Sequence, residues 1–334
     1  MKNKKILLVG GCGFIGHNLA LYLKKMGAIP HIVDSMSVNN ILSFADVEVV
    51  NKNLYNSILN NRIDLLDKNQ VKLTIQDARD YHAISRIYAG INPDIIIHLA
   101  AVSHANKSNK DPHNTFDHSL RTLENTLDFA KSKKIHVIYL SSSMVYGDFN
   151  SEEVDETSIC KPIGIYGTLK LAGELILKSY NQIFDLPYTI IRPSALYGER
   201  CVSRRVGQIF IENAIQNLDI NINGNGEEKL DFTYIEDLIE GIYKCCSNPE
   251  AINQTFNITF GDARKINDLL GILKSEFPSV KVNYIEREKF MPERGTLNTS
   301  KAKKLINYDP KFNIENGYKK YISWYKSFWN NIKS

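Results

Sequence analysis

The first 192 residues alternate between short runs of consecutive apolar residues and longer stretches with a helical pattern. A continuous apolar run is typical of a strand that is buried on both faces, whereas the longer period indicates a helix. These patterns predict strands over residues 6–9, 30–33, 71–75, 94–99, 135–140 and 187–191, and helices over 14–26, 115–133 and 166–184. Strands separated by helices of this length predict a parallel, doubly wound sheet.

The pattern changes after Arg192, where elements shorten and glycine, asparagine and basic residues become more frequent. Two runs there, 232–235 and 256–258, predict short strands that return to the main sheet, and no element is predicted over 35–70. The predicted fold class is α/β, a Rossmann-type doubly wound parallel sheet with a smaller mixed C-terminal substrate domain. The first domain would comprise residues 1–192 and a return segment of about 229–261, and the second residues 193–228 and 262–334.

Composition narrows the classes of function. The 334 residues are 43% hydrophobic and 23% charged, the balance of a globular protein long enough for more than one domain. A net charge of only +4 argues against nucleic-acid or membrane-surface binding, and no run approaches the about 18 apolar residues of a membrane span. The five cysteines include no C-x-x-C pair, so no metal site is predicted. The basic N-terminus and the apolar run after it look like a signal peptide, but that run is short and broken by glycines, and a cytoplasmic location is expected.

A glycine-rich turn joins the first predicted strand to the first predicted helix, with the spacing G-x-x-G-x-x-G at Gly10, Gly13 and Gly16. Glycines let the backbone approach a pyrophosphate closely, and the helix N-terminus offers unpaired N–H groups to the anion. Asp34 ends the second predicted strand, where a carboxylate accepts hydrogen bonds from both ribose hydroxyls and repels a 2′-phosphate. The pattern therefore predicts NAD, rather than NADP, as the cofactor. A tight turn without a ligand and a loop-capping acid are the structural alternatives.

Tyr166 and Lys170 form a Y-x-x-x-K pattern at the start of a predicted helix, and of the 17 tyrosines only Tyr166 has a lysine four residues on. This spacing puts both side chains on one helix face. A tyrosine with an ordinary pKa of about 10 is a poor base at neutral pH, but a neighbouring ammonium favours the phenolate. Ser142 follows the fifth predicted strand, at the edge where open α/β sheets bind ligands. We predict Ser142, Tyr166 and Lys170 as catalytic residues; a surface Tyr–Lys pair and a turn-forming serine are the alternatives.

Further motifs accompany the glycine-rich turn and the Y-x-x-x-K pattern: Asp77-Ala78-Arg79-Asp80, His98-Leu99-Ala100-Ala101, Ser141 to Gly147, Arg192-Pro193, Tyr197-Gly198 and Asp231-Phe232. Together, from Gly10 to about Pro310, they make the chain resemble the extended short-chain dehydrogenases, in the branch of NAD-dependent sugar epimerases and dehydratases. The resemblance implies that Asp77 meets the adenine amine and that Pro193 lies near the nicotinamide. The implied cofactor-binding residues are Gly10, Gly13, Phe14, Ile15, Gly16, Asp34, Asp77, Ala78, Leu99, Ala100, Ala101, Ser103, Tyr166, Lys170 and Pro193.

Several positions depart from the pattern of that family. Its dehydratases have an acidic pair after the catalytic serine or threonine, where this chain has Ser143 and Met144, so a 4,6-dehydratase is not implied. The family often has Asn where Ala195 stands and Arg where Leu230 stands, and that Arg serves the substrate diphosphate. Three arginines could replace its charge, although solvation at the surface is the alternative for each. The predicted substrate-binding residues are Ser142, Ser143, Ser194, Arg204, Arg205 and Arg294.

The resemblance implies NAD-dependent oxidation of a nucleotide sugar at C4, with Tyr166 as the base and a 4-keto sugar as the product. If that product is released, the protein is a dehydrogenase, and we expect this reaction on a GDP-linked heptose in bacterial surface polysaccharide biosynthesis. If the keto sugar turns over and is reduced again, the protein is a 4-epimerase. A non-catalytic NAD-sensing protein on the same fold is a third hypothesis, from a different class of function.

The predicted helix over 166–184 also indicates how the chain assembles. Its apolar positions cover a stripe wider than one core face needs: Leu169, Leu171, Ala172, Leu175, Ile176, Leu177, Tyr180, Ile183 and Phe184. Because related enzymes pair two such helices into a four-helix bundle, we expect a homodimer. Extra burial against the second domain of the same chain is the alternative.

Overall fold

The computed structural model describes residues 1–45, 50–102, 105–287 and 291–333. Its strands are β1 (Lys5–Val9), β2 (Ile29–Asp34), β3 (Lys72–Ile75), β4 (Ile95–His98), β5 (His136–Leu140), β6 (Glu153–Val154), β7 (Tyr188–Arg192), β8 (Leu196–Tyr197), β9 (Ile220–Asn223), β10 (Lys229–Asp231), β11 (Thr233–Tyr234), β12 (Gln254–Asn257), β13 (Ala263–Lys265), β14 (Val282–Ile285) and β15 (Thr296–Leu297). Its helices are α1 (Phe14–Lys25), α2 (Ile41–Ala45), α3 (Lys52–Lys68), α4 (Tyr81–Ile91), α5 (Ala105–Lys110), α6 (Pro112–Phe116), α7 (Thr122–Lys133), α8 (Gly164–Phe184), α9 (Val206–Ile215), α10 (Ile235–Ser247), α11 (Ile266–Glu276), α12 (Ser300–Ile306) and α13 (Ile314–Lys333). A π-helical turn, Asp117–Arg121, joins α6 to α7, and 3-10 turns cover Ser143–Val145 and Pro249–Ala251.

Seven parallel strands form the central sheet, in the order β12-β7-β5-β4-β1-β2-β3. Alternate residues of β1 enter two different apolar cores, Ile6 and Leu8 on one face of the sheet and Leu7 and Val9 on the other. The strand order reverses between β1 and β4, so the carboxyl ends of these two strands open a crevice for a ligand. The predicted α/β class, with a doubly wound parallel sheet, is confirmed.

The strands and helices that the hydrophobic pattern predicted in the first half are present, with one helix divided. Each of the six predicted strands is present, with ends that differ by about one residue. The helix predicted over 115–133 is instead divided by the π-helical turn. The side chains of His118 and Thr122 at this turn line a cleft together with the glycine-rich turn.

The segment 232–235 does not return to the main sheet. Only Thr233 and Tyr234 are extended there, they pair with β8, and α10 begins at Ile235. The residues that follow have helical periodicity. The helix is favoured over a longer strand because it buries one apolar face: Ile235, Leu238, Ile239, Ile242 and Cys245. The second predicted return strand is correct, since β12 is the edge strand beside β7.

Helix α3 lies in the segment 35–70, for which the sequence pattern predicted no element. Its buried face includes two polar residues among apolar ones: Leu54, Tyr55, Ile58, Leu59, Arg62 and Leu66. The helix packs against α1 and α13. This placement brings Arg62 into the same cleft as Asp34 and the glycine-rich turn.

Candidate active site

The glycine-rich turn runs from the end of β1 to the start of α1, and two of its three motif glycines have no room for a side chain. A Cβ on Gly10 would lie 2.7 Å from the Ala100 backbone, and one on Gly16 would lie 2.4 Å from the Gly11 carbonyl oxygen, so both positions exclude a side chain. A Cβ on Gly13 would meet only the Gly10 carbonyl oxygen, at 3.6 Å, among the described residues. Gly13 precedes α1 and has no side chain to cap it, so the first N–H groups of the helix are available to an anion.

Asp34 is held in place at the end of β2 by the backbone around it. Its carboxylate accepts hydrogen bonds from the Cys12 N–H at 2.8 Å and from the Met36 N–H at 2.7 Å. Burial raises the pKa of Asp34, and the two N–H donors oppose that shift. The residue lines the cleft, and its oxygens have lone pairs left for ribose hydroxyls. The turn and Asp34 therefore fit a dinucleotide.

One cleft contains most of the residues that the sequence indicated for the cofactor: Gly10, Gly13, Phe14, Ile15, Gly16, Asp34, Asp77, Ala78, Leu99, Ala100 and Ala101. Ser103 lies outside the described residues. The cleft also includes residues that the sequence did not indicate, among them Asn39, Arg62, Gln76 and Ser203. The contacts of these residues with NAD stay predictions.

Lys170 lies one turn after Tyr166 in α8, with only 4% of its surface exposed. Its ammonium donates to the Leu140 carbonyl at 2.6 Å and lies 5.0 Å from the centre of the Tyr139 ring. Burial lowers the pKa of Lys170 to about 8, against the opposing charge of Glu174. Lys170 therefore keeps its positive charge at neutral pH.

Tyr166 lies in the first turn of α8, and Ser142 lies just beyond the end of β5. Burial raises the pKa of Tyr166, whereas Arg205 and a hydrogen-bonding contact with Ser142 lower it. The Ser142 hydroxyl also accepts the Met144 N–H at 3.2 Å, which orients it. The structure thus brings the three predicted catalytic residues together, and their roles in catalysis stay predictions.

The loop after β7 meets the loop after β5 at this site. The Ser143 N–H donates to the Pro193 carbonyl at 2.9 Å. Ser143 and Ser194, both predicted to bind substrate, are buried there. Pro193 and these two serines are therefore placed beside Ser142.

Sequence reasoning missed a buried polar network behind the predicted catalytic residues. Glu174, one turn after Lys170, accepts hydrogen bonds from the Ser141 hydroxyl and from the Arg192 guanidinium. Arg192 Nη1 in turn donates to the Tyr146 hydroxyl at 3.0 Å. The one available signal was the i, i+4 spacing, which places an acid on the same helix face as the lysine.

The three arginines predicted to bind substrate have different surroundings. Arg204 interacts with α3 and α9. Its Nη1 donates to the Tyr55 hydroxyl at 3.1 Å and lies 3.9 Å from a Glu212 carboxylate oxygen. Arg205 instead lines the cleft. Burial and the charge of Arg205 lower the pKa of Arg294 to about 10. An anionic group bound between Arg205 and Arg294 would relieve their repulsion.

Other classes of site find no support in the part of the chain that the structure describes. It contains no group of three His, Cys, Asp or Glu side chains arranged to hold a metal ion. None of its helices has the length and apolar content that crossing a membrane requires. All five cysteines are free thiols.

Comparison with known proteins shows similarity along nearly the whole chain. A model of the NAD dependent epimerase/dehydratase family matches residues 6–259. The uncharacterized UDP-glucose epimerase YtcB of Bacillus subtilis (strain 168) is 26% identical over 328 residues, which cover 97% of this chain and 99% of that protein. The dTDP-glucose 4,6-dehydratase of Shigella flexneri is 25% identical over 362 residues, covering 99% of this chain and 96% of the enzyme. The crystal structure of UDP-glucuronic acid 4-epimerase from Bacillus cereus, in complex with UDP-glucuronic acid and NAD, is 25% identical with a TM-score of 0.87, covering 97% of this chain and 99% of that one.

Proposed function

This chain belongs to the NAD dependent epimerase/dehydratase family, and on that premise we propose that it oxidises the C4 carbon of a nucleotide sugar and releases a 4-keto sugar. The family consists of NAD-dependent enzymes that act on nucleotide sugars. The observation that supports C4 oxidation best is the cluster of Ser142, Tyr166 and Lys170 at the carboxyl end of β5, beside the dinucleotide cleft. We propose a GDP-linked heptose as the substrate, and cytoplasmic synthesis of a bacterial surface polysaccharide as the use of the product.

The side chains of this cluster divide the work of removing two hydrogens from the sugar. When bound, NAD supplies the acceptor for the hydride that leaves C4. The Tyr166 phenolate accepts the proton of the C4 hydroxyl, because Arg205 and the Ser142 hydroxyl both favour the ionised form. Ser142 hydrogen-bonds the same hydroxyl and orients it toward Tyr166. The sugar thus loses one hydride and one proton.

The residues at positions that contact substrate in this family support net oxidation rather than dehydration or the usual epimerisation. Ser143 and Met144 leave no acid beside Ser142, so the chain lacks the pair that removes water in a dehydratase. Ala195 and Leu230 stand where the family often has Asn and Arg, which commonly serve the substrate, the Arg its diphosphate. These exchanges resemble those of enzymes that oxidise GDP-linked heptoses.

A nucleotide-sugar 4-epimerase is the second candidate function. Its support is the similarity over nearly the whole chain to the UDP-glucuronic acid 4-epimerase from Bacillus cereus. Both reactions begin with the same proton and hydride removal at C4. They differ in whether the keto sugar leaves before it is reduced again.

Product mass separates the two candidates. The purified protein, with the nucleotide that it retains, would be incubated with GDP-heptose and with common UDP- and GDP-sugars. A product two hydrogens lighter than its substrate supports net C4 oxidation. A product of unchanged mass with inverted C4 would replace this proposal by epimerisation.

We further propose that the protein is a homodimer. Helix α8 leaves large apolar side chains on the surface, with Leu175 56% and Ile183 73% exposed, and Phe116 of α6 is 48% exposed nearby. A second copy that packs α8 against its own α8 would cover these side chains. Light scattering at micromolar concentration should give twice the monomer mass, and a monomer would contradict the proposal.

A further inference from the structure

Arg62 of α3 is a buried cation that faces the dinucleotide cleft, and no motif pointed to it. Only 1% of the residue is exposed, yet it lines the cleft together with Gly13 and Asp34. We propose that Arg62 is a ligand of the cofactor's pyrophosphate, bound through Nη1. This inference rests on the NAD cofactor and is independent of which sugar is oxidised.

The guanidinium of Arg62 has one nitrogen that the protein leaves without a partner. Nε donates to the Arg200 carbonyl at 3.0 Å, and Nη2 donates to the same oxygen. Nη1 is equally buried and has no hydrogen-bond partner among the described residues. Because a buried N–H group without a partner costs about 1–3 kcal/mol, and more when it is charged, a bound acceptor is expected at Nη1.

The charge of Arg62 is also poorly balanced. Among the described residues no carboxylate lies within salt-bridge distance; the groups whose charge would favour the cation are Asp34 and the thiols of Cys201 and Cys12. The Cys12 thiol nearby stays neutral, because burial and the charge of Asp34 raise its pKa to about 12. Burial lowers the pKa of Arg62 to about 10, so the side chain remains a cation at neutral pH. Buried cations of this kind are normally paired with an anion.

The position of Arg62 indicates which anion it would meet. Its charge acts on Cys12 in the glycine-rich turn, on His17 in α1 and on Asp34 at the end of β2. Cys12 belongs to the turn and His17 to the first turn of α1, the two segments whose N–H groups a bound anion would meet. A pyrophosphate has two negative charges and would lie there, whereas a 2′-phosphate would be repelled by Asp34. Arg62 thus adds a positively charged donor to a site otherwise built from backbone N–H groups.

A structural role is the competing explanation. His17 Nδ1 bonds the Gly13 carbonyl at 2.9 Å, so His17 Nε2 is an acceptor, and it too has no partner among the described residues. Arg62 could satisfy His17 and hold Arg200, without touching the cofactor. If Arg62 binds the pyrophosphate, its loss weakens the binding of phosphate-containing ligands only. If its role is structural, its loss does not distinguish ligands with phosphate from ligands without it.

The test compares ADP-ribose, which contains the pyrophosphate, with adenosine, which does not. By calorimetry, Arg62→Gln should bind ADP-ribose about 10- to 100-fold more weakly, the loss of one charged hydrogen bond, with adenosine affinity unchanged. Asn61→Ala is the matched control, because Asn61 also ties α3 to Arg200, by a 2.9 Å bond, but does not line the cleft. This variant should bind both ligands as the wild type does.

Equal loss for both ligands, or no loss for either, would overturn the proposal and leave Arg62 a structural residue. If Arg62→Gln does not fold, a crystal structure of the wild-type protein with NAD decides. We expect Arg62 Nη1 within about 3.2 Å of a phosphate oxygen. Nη1 bonded to His17 instead, with the pyrophosphate out of reach, would contradict the proposal. Neither measurement depends on turnover, so failure of C4 oxidation would not affect the result.

Discussion

Glu174 and Arg192 form a two-point ion pair in the interior, with Arg192 Nε 2.9 Å and Nη2 2.6 Å from the two carboxylate oxygens. The side chains are 0% and 3% exposed. The pair joins α8, which contains Tyr166 and Lys170, to the end of β7, and the Ser141 hydroxyl extends it to the loop after β5. These contacts fix α8 against β7 and against the loop after β5 that contains Ser142.

Removal of the Glu174 charge should therefore destabilise the fold strongly. Glu174→Gln leaves the Arg192 guanidinium buried without a counter-charge, and we expect a loss of about 3–5 kcal/mol in the free energy of unfolding by urea. Asp185→Asn is the matched control, because it breaks the exposed Lys134–Asp185 pair and should cost less than about 1 kcal/mol. Equal effects of the two substitutions would mean that the buried pair contributes no more than a surface pair.

Lys170 should make the fold more stable as the pH rises from about 8 to 10.5. Its pKa is about 8 in the folded protein and 10.5 when unperturbed, so in this window the unfolded chain binds more protons and higher pH favours the folded state. Below pH 8 the folded protein bears the full free-energy cost of burying the ammonium. Deprotonation of Lys170 between pH 8 and 10.5 removes that cost and raises the free energy of unfolding by about 3 kcal/mol. The measurement is urea unfolding of the wild type and of Lys170→Met from pH 7 to 10.5. The wild type should gain stability relative to the variant, and a constant difference would contradict this assignment.

Arg205 should set the pH at which Tyr166 ionises. Arg205→Gln removes a positive charge that lowers the pKa of Tyr166, so the acid limb of the pH–kcat profile should move to higher pH. Arg204→Gln is the matched control, because Arg204 contacts Tyr55 and Glu212 instead, and its profile should keep the wild-type midpoint. If both variants shift the midpoint equally, the shift comes from the loss of any nearby positive charge, and Arg205 has no specific effect on Tyr166.

Substitutions at two glycines of the turn should have different effects, one on stability and the other on cofactor binding. Gly16→Ala places a methyl group 2.4 Å from the Gly11 carbonyl oxygen and should destabilise the protein by about 1–3 kcal/mol. Gly13→Ala meets nothing closer than 3.6 Å, so the variant should fold normally and bind NAD at least about tenfold more weakly, because the methyl group stands where the pyrophosphate approaches. Circular dichroism and calorimetry distinguish these outcomes. Wild-type NAD affinity in Gly13→Ala would place the pyrophosphate elsewhere.

Local sequence signals predicted the sheet and the core of the candidate site. The glycine-rich turn, Asp34 and the Tyr166–Lys170 pair each depend on a spacing of a few residues or on the end of a strand. Such signals can be interpreted without the tertiary structure, because residues at these short spacings share a helix face or a turn. The same holds for the buried strands of the main sheet.

Features that depend on distant partners were not predictable in this way. Arg62 bonds a carbonyl 138 positions away, and Glu174 pairs with Arg192 18 positions away on a different element. In a single sequence both look like ordinary charged residues of a solvated helix. The segment 232–235 does not return to the main sheet for a related reason: its short strand pairs with β8, and Ile235 belongs to the buried face of a helix whose packing partners lie elsewhere in the chain.

Tracing the C4 hydrogen tests the proposed reaction most directly. A nucleotide sugar with deuterium at C4 would be given to the wild-type protein and to Tyr166→Phe, with Tyr180→Phe of the same helix as the control. We expect deuterium to pass from the sugar to the nicotinamide ring of NADH and a 4-keto sugar to be released, with the rate reduced about 10²- to 10⁴-fold in Tyr166→Phe alone. Deuterium that returns to C4 of an inverted sugar would contradict net oxidation. Deuterium that stays on C4 throughout would contradict C4 chemistry altogether.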